Sequence, residues 1–199
     1  MSYLELVESE LENFEIELPE EQRVTLGQYC EELQRWNEKL NLTALSGVRL
    51  VRRLVVEPVW IARQLSFGGC LMDIGSGNGS PAIPFQIVSA VESCHLIESR
   101  VRRAAFLRHV SAKLRLQHLE IHRGRFEALA ASLGRADWIS MQAVAFSERL
   151  LEFIRLIAST TTTIVWITSS TATPFIEPIS TLRVPITGTQ VFLFQLDLS

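Results

Sequence analysis

The sequence predicts an α/β protein, a mostly parallel, doubly wound sheet preceded by a helical extension. Three observations carry this. From residue 70 onward, short apolar runs alternate with stretches of helical length. The first run, Cys70 to Ile74, reaches an acid, Asp73, and is followed by glycines at alternate positions, Gly75, Gly77 and Gly79. Ahead of residue 66 the pattern is helical only. Strands separated by helices build a parallel sheet covered on both faces.

The elements follow in order. A first helix is expected over residues 3–13 and a second from Pro19 to Leu40. In the second, Leu26, Tyr29, Leu33, Trp36 and Leu40 form one apolar stripe at alternating steps of three and four. A polar turn at 41–47 leads to a helix over 48–65. Residues 1–66 are therefore read as a helical extension packed on a core of residues 67–199. Strands are expected at 70–74, 94–97, 119–122, 137–141, 163–168 and 190–196. Helices fall between them at 81–90, 100–115, 125–132 and 146–158. Thr187-Gly188-Thr189 marks a turn before the last strand.

Bulk properties exclude several classes. A chain of 199 residues, 47% hydrophobic and 21% charged, suits one domain with an extension. No apolar run approaches the roughly 20 residues that span a bilayer. The acidic N-terminus has no basic segment ahead of an apolar stretch, so no signal peptide is expected and the cytoplasm is the expected location. Cys30, Cys70 and Cys94 lack paired spacing and read as reduced thiols. The net charge of −3 hides an asymmetry: residues 1–38 carry eleven acids, whereas residues 49–135 carry thirteen Lys and Arg against six acids. Such a basic middle suits a nucleic acid on one face, and it equally suits solvated helix faces paired with nearby acids.

The glycine turn carries the chemistry. Glycine at alternate positions lets backbone and a helix N-terminus approach a ligand closely. Pro81 and Pro84 place the helix start near Pro81, where a missing N–H costs nothing. The spacing is GxGxG, not the GxGxxG of dinucleotide folds, so an adenosine-type cofactor is expected, S-adenosyl-L-methionine in preference to NAD. Asp73, Gly75, Ser76, Gly77, Gly79 and Pro81 are its first candidate contacts. Glu98 ends the second strand 23 residues after Gly75, placed to accept ribose hydroxyls. The arginine-dense helix after it, from Arg100 to Arg115, has an apolar side of Ala104, Ala105, Phe106, Leu107 and Val110. In the next loop, Phe126 offers an apolar contact to adenine, Arg125 reaches the pocket mouth, and Glu127 suits a helix N-terminus beside the cofactor. His95, His109, His118 and His122 have no Cys or acid at ligand spacing, so no metal is expected.

Two absences narrow the reaction. The fourth strand ends Asp137-Trp138-Ile139-Ser140-Met141-Gln142, without an Asn/Asp-Pro-Pro-aromatic loop for exocyclic amines and without a nucleophilic Cys. A nucleophile that already exposes a lone pair, such as guanine N7, needs neither device. Catalysis is then positioning and electrostatics, and no general base is expected.

Arg35-Trp36-Asn37-Glu38-Lys39-Leu40-Asn41-Leu42-Thr43 resembles the WNxxxNLT signature of the bacterial 16S rRNA guanine-N7 methyltransferases, the RsmG or GidB family. Gly75 to Pro84 is similar to the family's GSGxGxPGIP loop, Glu98 to Arg108 to its acid and basic AFLR helix, and Gly124 to Glu127 to its GR[AF]E loop. The resemblance covers residues 26 to 150. It implies a Rossmann-like class I methyltransferase fold, S-adenosyl-L-methionine as cofactor, and guanine N7 in 16S rRNA, naked or in a small-subunit precursor, as substrate. It also implies a cytoplasmic monomer, with Asn37, Asn41 and Thr43 locking the N-terminal helices. Four positions depart from the family. Leu54 and Pro58 replace a histidine and a serine, Gln142 stands for an arginine after the fourth strand, and Thr168 for a lysine after the fifth. A cofactor- or RNA-binding relative with altered activity, or a small-molecule methyltransferase, are the alternative readings.

Overall fold

The computed structural model describes residues 1–168, 171 and 173–197. Residues 198 and 199, at the end of the region read as core, and Ser169, beside Thr168, lie outside them. Helix α1 (Tyr3–Asn13) opens with a capping box: the Ser2 hydroxyl accepts from the Glu5 N–H while the Glu5 carboxylate accepts from the Ser2 N–H. Helix α2 (Glu20–Leu40) ends at Asn41 in the left-handed conformation. The Asn37 side chain then clamps the turn, donating to the Thr43 carbonyl at 2.9 Å and accepting from the Thr43 N–H at 2.8 Å. Asn37 of the Trp-Asn pair therefore holds a turn, while Trp36 packs against Phe106 and His109.

The helix expected over 48–65 differs in detail. It is α3 (Gly47–Val51), a wider π segment (Arg52–Val56) and α4 (Glu57–Leu65) in one run. Pro58 has no N–H to give the preceding turn, and the wider turn ahead of it accommodates that loss. A half-buried ion pair fixes the run to α1: Arg52 donates from Nε and Nη2 to both carboxylate oxygens of Glu10, which is only 3% exposed.

The remaining elements alternate. They are β1 (Gly68–Ile74), α5 (Ala82–Val88), β2 (Ala90–Glu98), α6 (Val101–Lys113), β3 (Leu119–Arg123), α7 (Phe126–Leu129), β4 (Trp138–Gln142), α8 (Glu148–Ile157), β5 (Thr163–Thr168), β6 (Ser180–Arg183) and β7 (Gln190–Phe194). The strands form one seven-stranded sheet in the order β3-β2-β1-β4-β5-β7-β6. β1 to β5 pair in parallel, while β7 is antiparallel to both β5 and β6. Strand β6 escaped the sequence reading because it is four residues long, largely exposed and paired only at the sheet edge. Helix α7 is also shorter than the expected 125–132, passing into a 3-10 turn at Ala130–Ser132.

Both faces of the sheet are covered, and side chains along each strand alternate between two cores. In β5, Val165 and Ile167 face the core shared with α1, α2, α4, α5 and α6, whereas Ile164 and Trp166 face the core under α7 and α8. On α6 the buried side is Ala104, Phe106, Leu107 and Val110; Ala105, read as apolar packing, is exposed. Burying these faces supplies roughly 25 cal/mol for each Å² of apolar surface removed from water.

Candidate functional site at the strand ends

A cleft of about 310 Å³ opens where β1, β2, β3 and β4 end, within the size range of small-ligand sites. Gly75, Glu98, Arg125, Phe126 and Glu127 line it, so the sequence-predicted residues of three separate segments meet there. Asp73, Ser76, Gly77, Gly79 and Pro81 are buried and are not among its walls. The glycines differ in what they permit. Gly75, at φ 78°, would bring a Cβ within 2.8 Å of Val144, across the cleft. Gly79, at φ 93°, would bring one within 2.5 Å of Ile83, so its role is packing of the turn on α5.

The turn's N–H groups are not free, contrary to the expectation that they face a ligand. Gly75 and Ser76 both donate to the Ile97 carbonyl at 2.9 and 3.0 Å, Gly77 donates to the Glu98 carboxylate at 2.9 Å, and Gly79 to the Ser76 carbonyl at 2.6 Å. A phosphate-binding loop presents such donors to its anion. This loop offers close approach without donors, which suits a nucleoside ligand that carries no phosphate. The backbone competition was invisible in sequence because its acceptor, Ile97, lies on the neighbouring strand.

One carboxylate lines the cleft and a second lies buried behind it. Glu98 is 5% exposed; its Oε2 accepts from Gly77 and its Oε1 from the Arg100 N–H at 2.7 Å. These bonds fix the carboxylate plane and leave lone pairs toward the cleft. Asp73 is 1% exposed, and its Oδ1 accepts from the Ser140 hydroxyl at 2.6 Å while Oδ2 has no partner. Burial pushes its pKa up to about 6 against the pull of Ser140 and Ser76, with the Glu98 charge adding to the rise. Ser140 went unrecognised in the sequence. Its signal was available: a serine between Ile139 and Met141 in a buried strand must find a polar partner, and the register sets it opposite Asp73.

Cations surround this acidic floor. Arg125 and Arg149 line the cleft from two sides, and neither forms an ion pair among the described residues. Arg149, at the start of α8, had no sequence signal. The Arg103 guanidinium lies 3.6 Å from where a Cβ on Gly77 would stand, which singles it out from the arginines of α6. Gln142 accepts from the Ser80 hydroxyl at 3.2 Å, tying the end of β4 to the glycine turn. Leu54 and Pro58 are buried in the π segment and α4. There Arg53 bonds Glu57 at 2.9 Å and Thr189 bonds Glu57 at 2.8 Å.

This strand order, its antiparallel seventh strand and the acid-floored cleft at the strand ends make the protein a Rossmann-like class I methyltransferase in fold. The chain belongs to the rRNA small subunit methyltransferase G family (GidB), whose model matches residues 22–177. It is 32% identical over 143 residues to ribosomal RNA small subunit methyltransferase G of Chloroflexus aggregans, covering 69% of this chain and 60% of that protein. The same protein of Geobacter metallireducens is 32% identical over 143 residues, covering 71% and 64%. The match thus spans about three fifths of these curated relatives. Among solved structures, an RNA methyltransferase from Salinibacter ruber in complex with S-adenosyl-L-homocysteine superposes with a TM-score of 0.56 at 18% identity, covering 71% of this chain and 91% of that one. MtNAS in complex with MTA and tNA gives 0.60 at 16%, covering 88% and 72%. Those two likenesses concern the fold alone.

Proposed function

We propose that this chain is an S-adenosyl-L-methionine-dependent methyltransferase that modifies guanine N7 in 16S rRNA. The observation that carries the reading is the carboxylate pair at the ends of β1 and β2: Glu98 fixed by two N–H groups beside the cleft, and Asp73 buried with one unpartnered oxygen. The residues present fit the cofactor. Glu98 suits two ribose hydroxyls, Phe126 and the Gly124–Glu127 segment suit adenine, and Gly75 permits close approach of the ligand. The orphan Oδ2 of Asp73 suits the ammonium of an amino acid, and Arg103 suits its carboxylate. Residues 1–66 are in this reading a helical extension supporting a methyltransferase domain of residues 67–199.

When bound, the cofactor supplies a sulfonium methyl group. That methyl would pass directly to N7, with the thioether as the leaving group. Guanine N7 carries a lone pair and no proton, so no residue here has to act as a base. The chain's contribution is orientation: the walls hold the donor, and Arg125 and Arg149 hold phosphate or base near the mouth. Arg100 at the N-cap of α6 and Arg102 and Arg108 on it are exposed and form no ion pair among the described residues, and they extend that positive charge toward RNA. A monomer acting on the rRNA or a small-subunit precursor suffices for this chemistry.

One observation favours a second reading, a relative that binds cofactor or RNA without transferring the methyl. Gln142 and Thr168 leave the ends of β4 and β5 uncharged, and Gln142 is engaged with Ser80. A transfer assay separates the two. Purified protein, methyl-labelled S-adenosylmethionine and unmodified small subunits should give label at guanine N7 of 16S rRNA. Cofactor binding without label, on both subunits and naked rRNA, contradicts the enzymatic reading.

A further inference from the structure

The sheet edge assembles a group of residues that the cleft does not use. His95 on β2 pairs in register with Glu120 on β3, and His122 lies two residues further along β3, so all three side chains emerge on one face. Nδ1 of His95 and Nε2 of His122 are 3.0 Å apart. The Glu120 Oε2 stands 3.8 Å from the first and 3.7 Å from the second. We propose that His95, Glu120 and His122 form a three-ligand site for a divalent transition-metal ion, with Zn²⁺ the best match to its donors.

The distances favour an ion over a simple histidine pair. A single proton shared between the two rings satisfies the 3.0 Å contact but leaves the carboxylate aimed at both nitrogens and too far to bond either. A point equidistant from the three atoms lies about 2 Å from each, the length of zinc–nitrogen and zinc–oxygen bonds. Two imidazoles and one carboxylate select zinc, cobalt or nickel over magnesium or calcium, which prefer all-oxygen shells. Half-burial of both histidines and the exposure of Glu120 leave the fourth position to water.

Strand pairing sets this geometry, since two adjacent backbones fix the donors before any ion arrives. The site also has a defined neighbourhood. His95 precedes Glu98 by three residues on β2, and His122 runs directly into the Gly124–Glu127 wall of the cleft. An ion there ties together the two strands that deliver those walls.

Calorimetry on untagged, chelator-treated protein tests the proposal, with ZnCl₂ and CoCl₂ as titrants. One ion per chain is expected, with at least tenfold weaker binding in His95→Gln and in His122→Gln. Glu120→Gln alters an exposed side chain, so the protein stays folded, and it should weaken binding several-fold. A control with His109→Gln and His118→Gln should bind as the parent does. Bound Co²⁺ should show tetrahedral ligand-field bands without a sulfur charge-transfer band, excluding Cys70 as the ligand. The absence of stoichiometric binding, binding undiminished by Glu120→Gln and the His95 and His122 changes, or binding abolished in the control would overturn it.

Discussion

The Tyr29 hydroxyl donates a 2.8 Å hydrogen bond to the carbonyl of Asn78, at the centre of the glycine turn. Tyr29 is fully buried on α2, so a residue of the helical extension holds the loop that shapes the cleft. The bond lies beside the core that α2 and the sheet share, in which Tyr29, Leu71, Phe85 and Leu107 all take part.

Tyr29→Phe keeps the ring but strips the Asn78 carbonyl of its donor. A buried acceptor left unpaired costs about 1–3 kcal/mol. Urea unfolding should show that loss, and calorimetry should show S-adenosylhomocysteine bound more weakly, as the loop is no longer pinned. Unchanged values in both would mean that the loop holds its shape without the extension.

Glu98→Gln leaves one acceptor oxygen where Gly77 and Arg100 now use two, and removes an acceptor from the proposed ribose contact. Affinity for S-adenosylhomocysteine should fall tenfold or more, equivalent to about 1.4 kcal/mol. Circular dichroism should stay that of the folded protein, because the replacement has the same shape.

Asp73 gives a pH dependence whose sign is fixed by its raised pKa of about 6. An acid with a folded pKa above its unfolded value of roughly 3.9 binds more protons when folded, so its contribution to stability falls as pH rises between those two values. Above pH 6 the folded chain carries a buried, half-satisfied anion. Asp73→Asn should therefore be more stable relative to the parent at pH 8 than at pH 4 in urea unfolding. If Oδ2 receives the cofactor ammonium, binding in the parent should strengthen from pH 5 to pH 8, and the variant should lose that rise.

In the proposed function Arg125 and Arg149 hold RNA and not the cofactor. Arg149→Ala should weaken 16S rRNA binding, lower the salt dependence of that binding by about one phosphate contact, and leave S-adenosylhomocysteine binding intact. Loss of cofactor binding would assign the side chain to the cofactor instead.

Much of the fold was legible because its signals are local. The Gly75–Gly79 turn, the stripe from Leu26 to Leu40 and the apolar strands each carry their own pattern. The seven-strand order adds β6, whose four largely exposed residues hold no such pattern. At the site, Glu98 and Phe126 were readable from their position after strands. Ser140 and Arg149 were not, as their meaning comes from register with Asp73 and from the placement of α8. The turn's N–H groups were misread because Ile97 and Glu98 occupy them across the sheet. The histidines repeat that lesson: no acid lies at helical or loop ligand spacing from them, yet pairing of β2 with β3 brings His95, Glu120 and His122 together.

Methyl transfer to guanine N7 of 16S rRNA, as proposed above, leaves its mark on the ribosome itself. The direct measurement maps N7-methylguanine in 16S rRNA from source cells with the gene intact, deleted and restored. One modified guanine should disappear on deletion and return with the restored gene. Its persistence at full level in the deletion strain would exclude this chain as the enzyme that makes it.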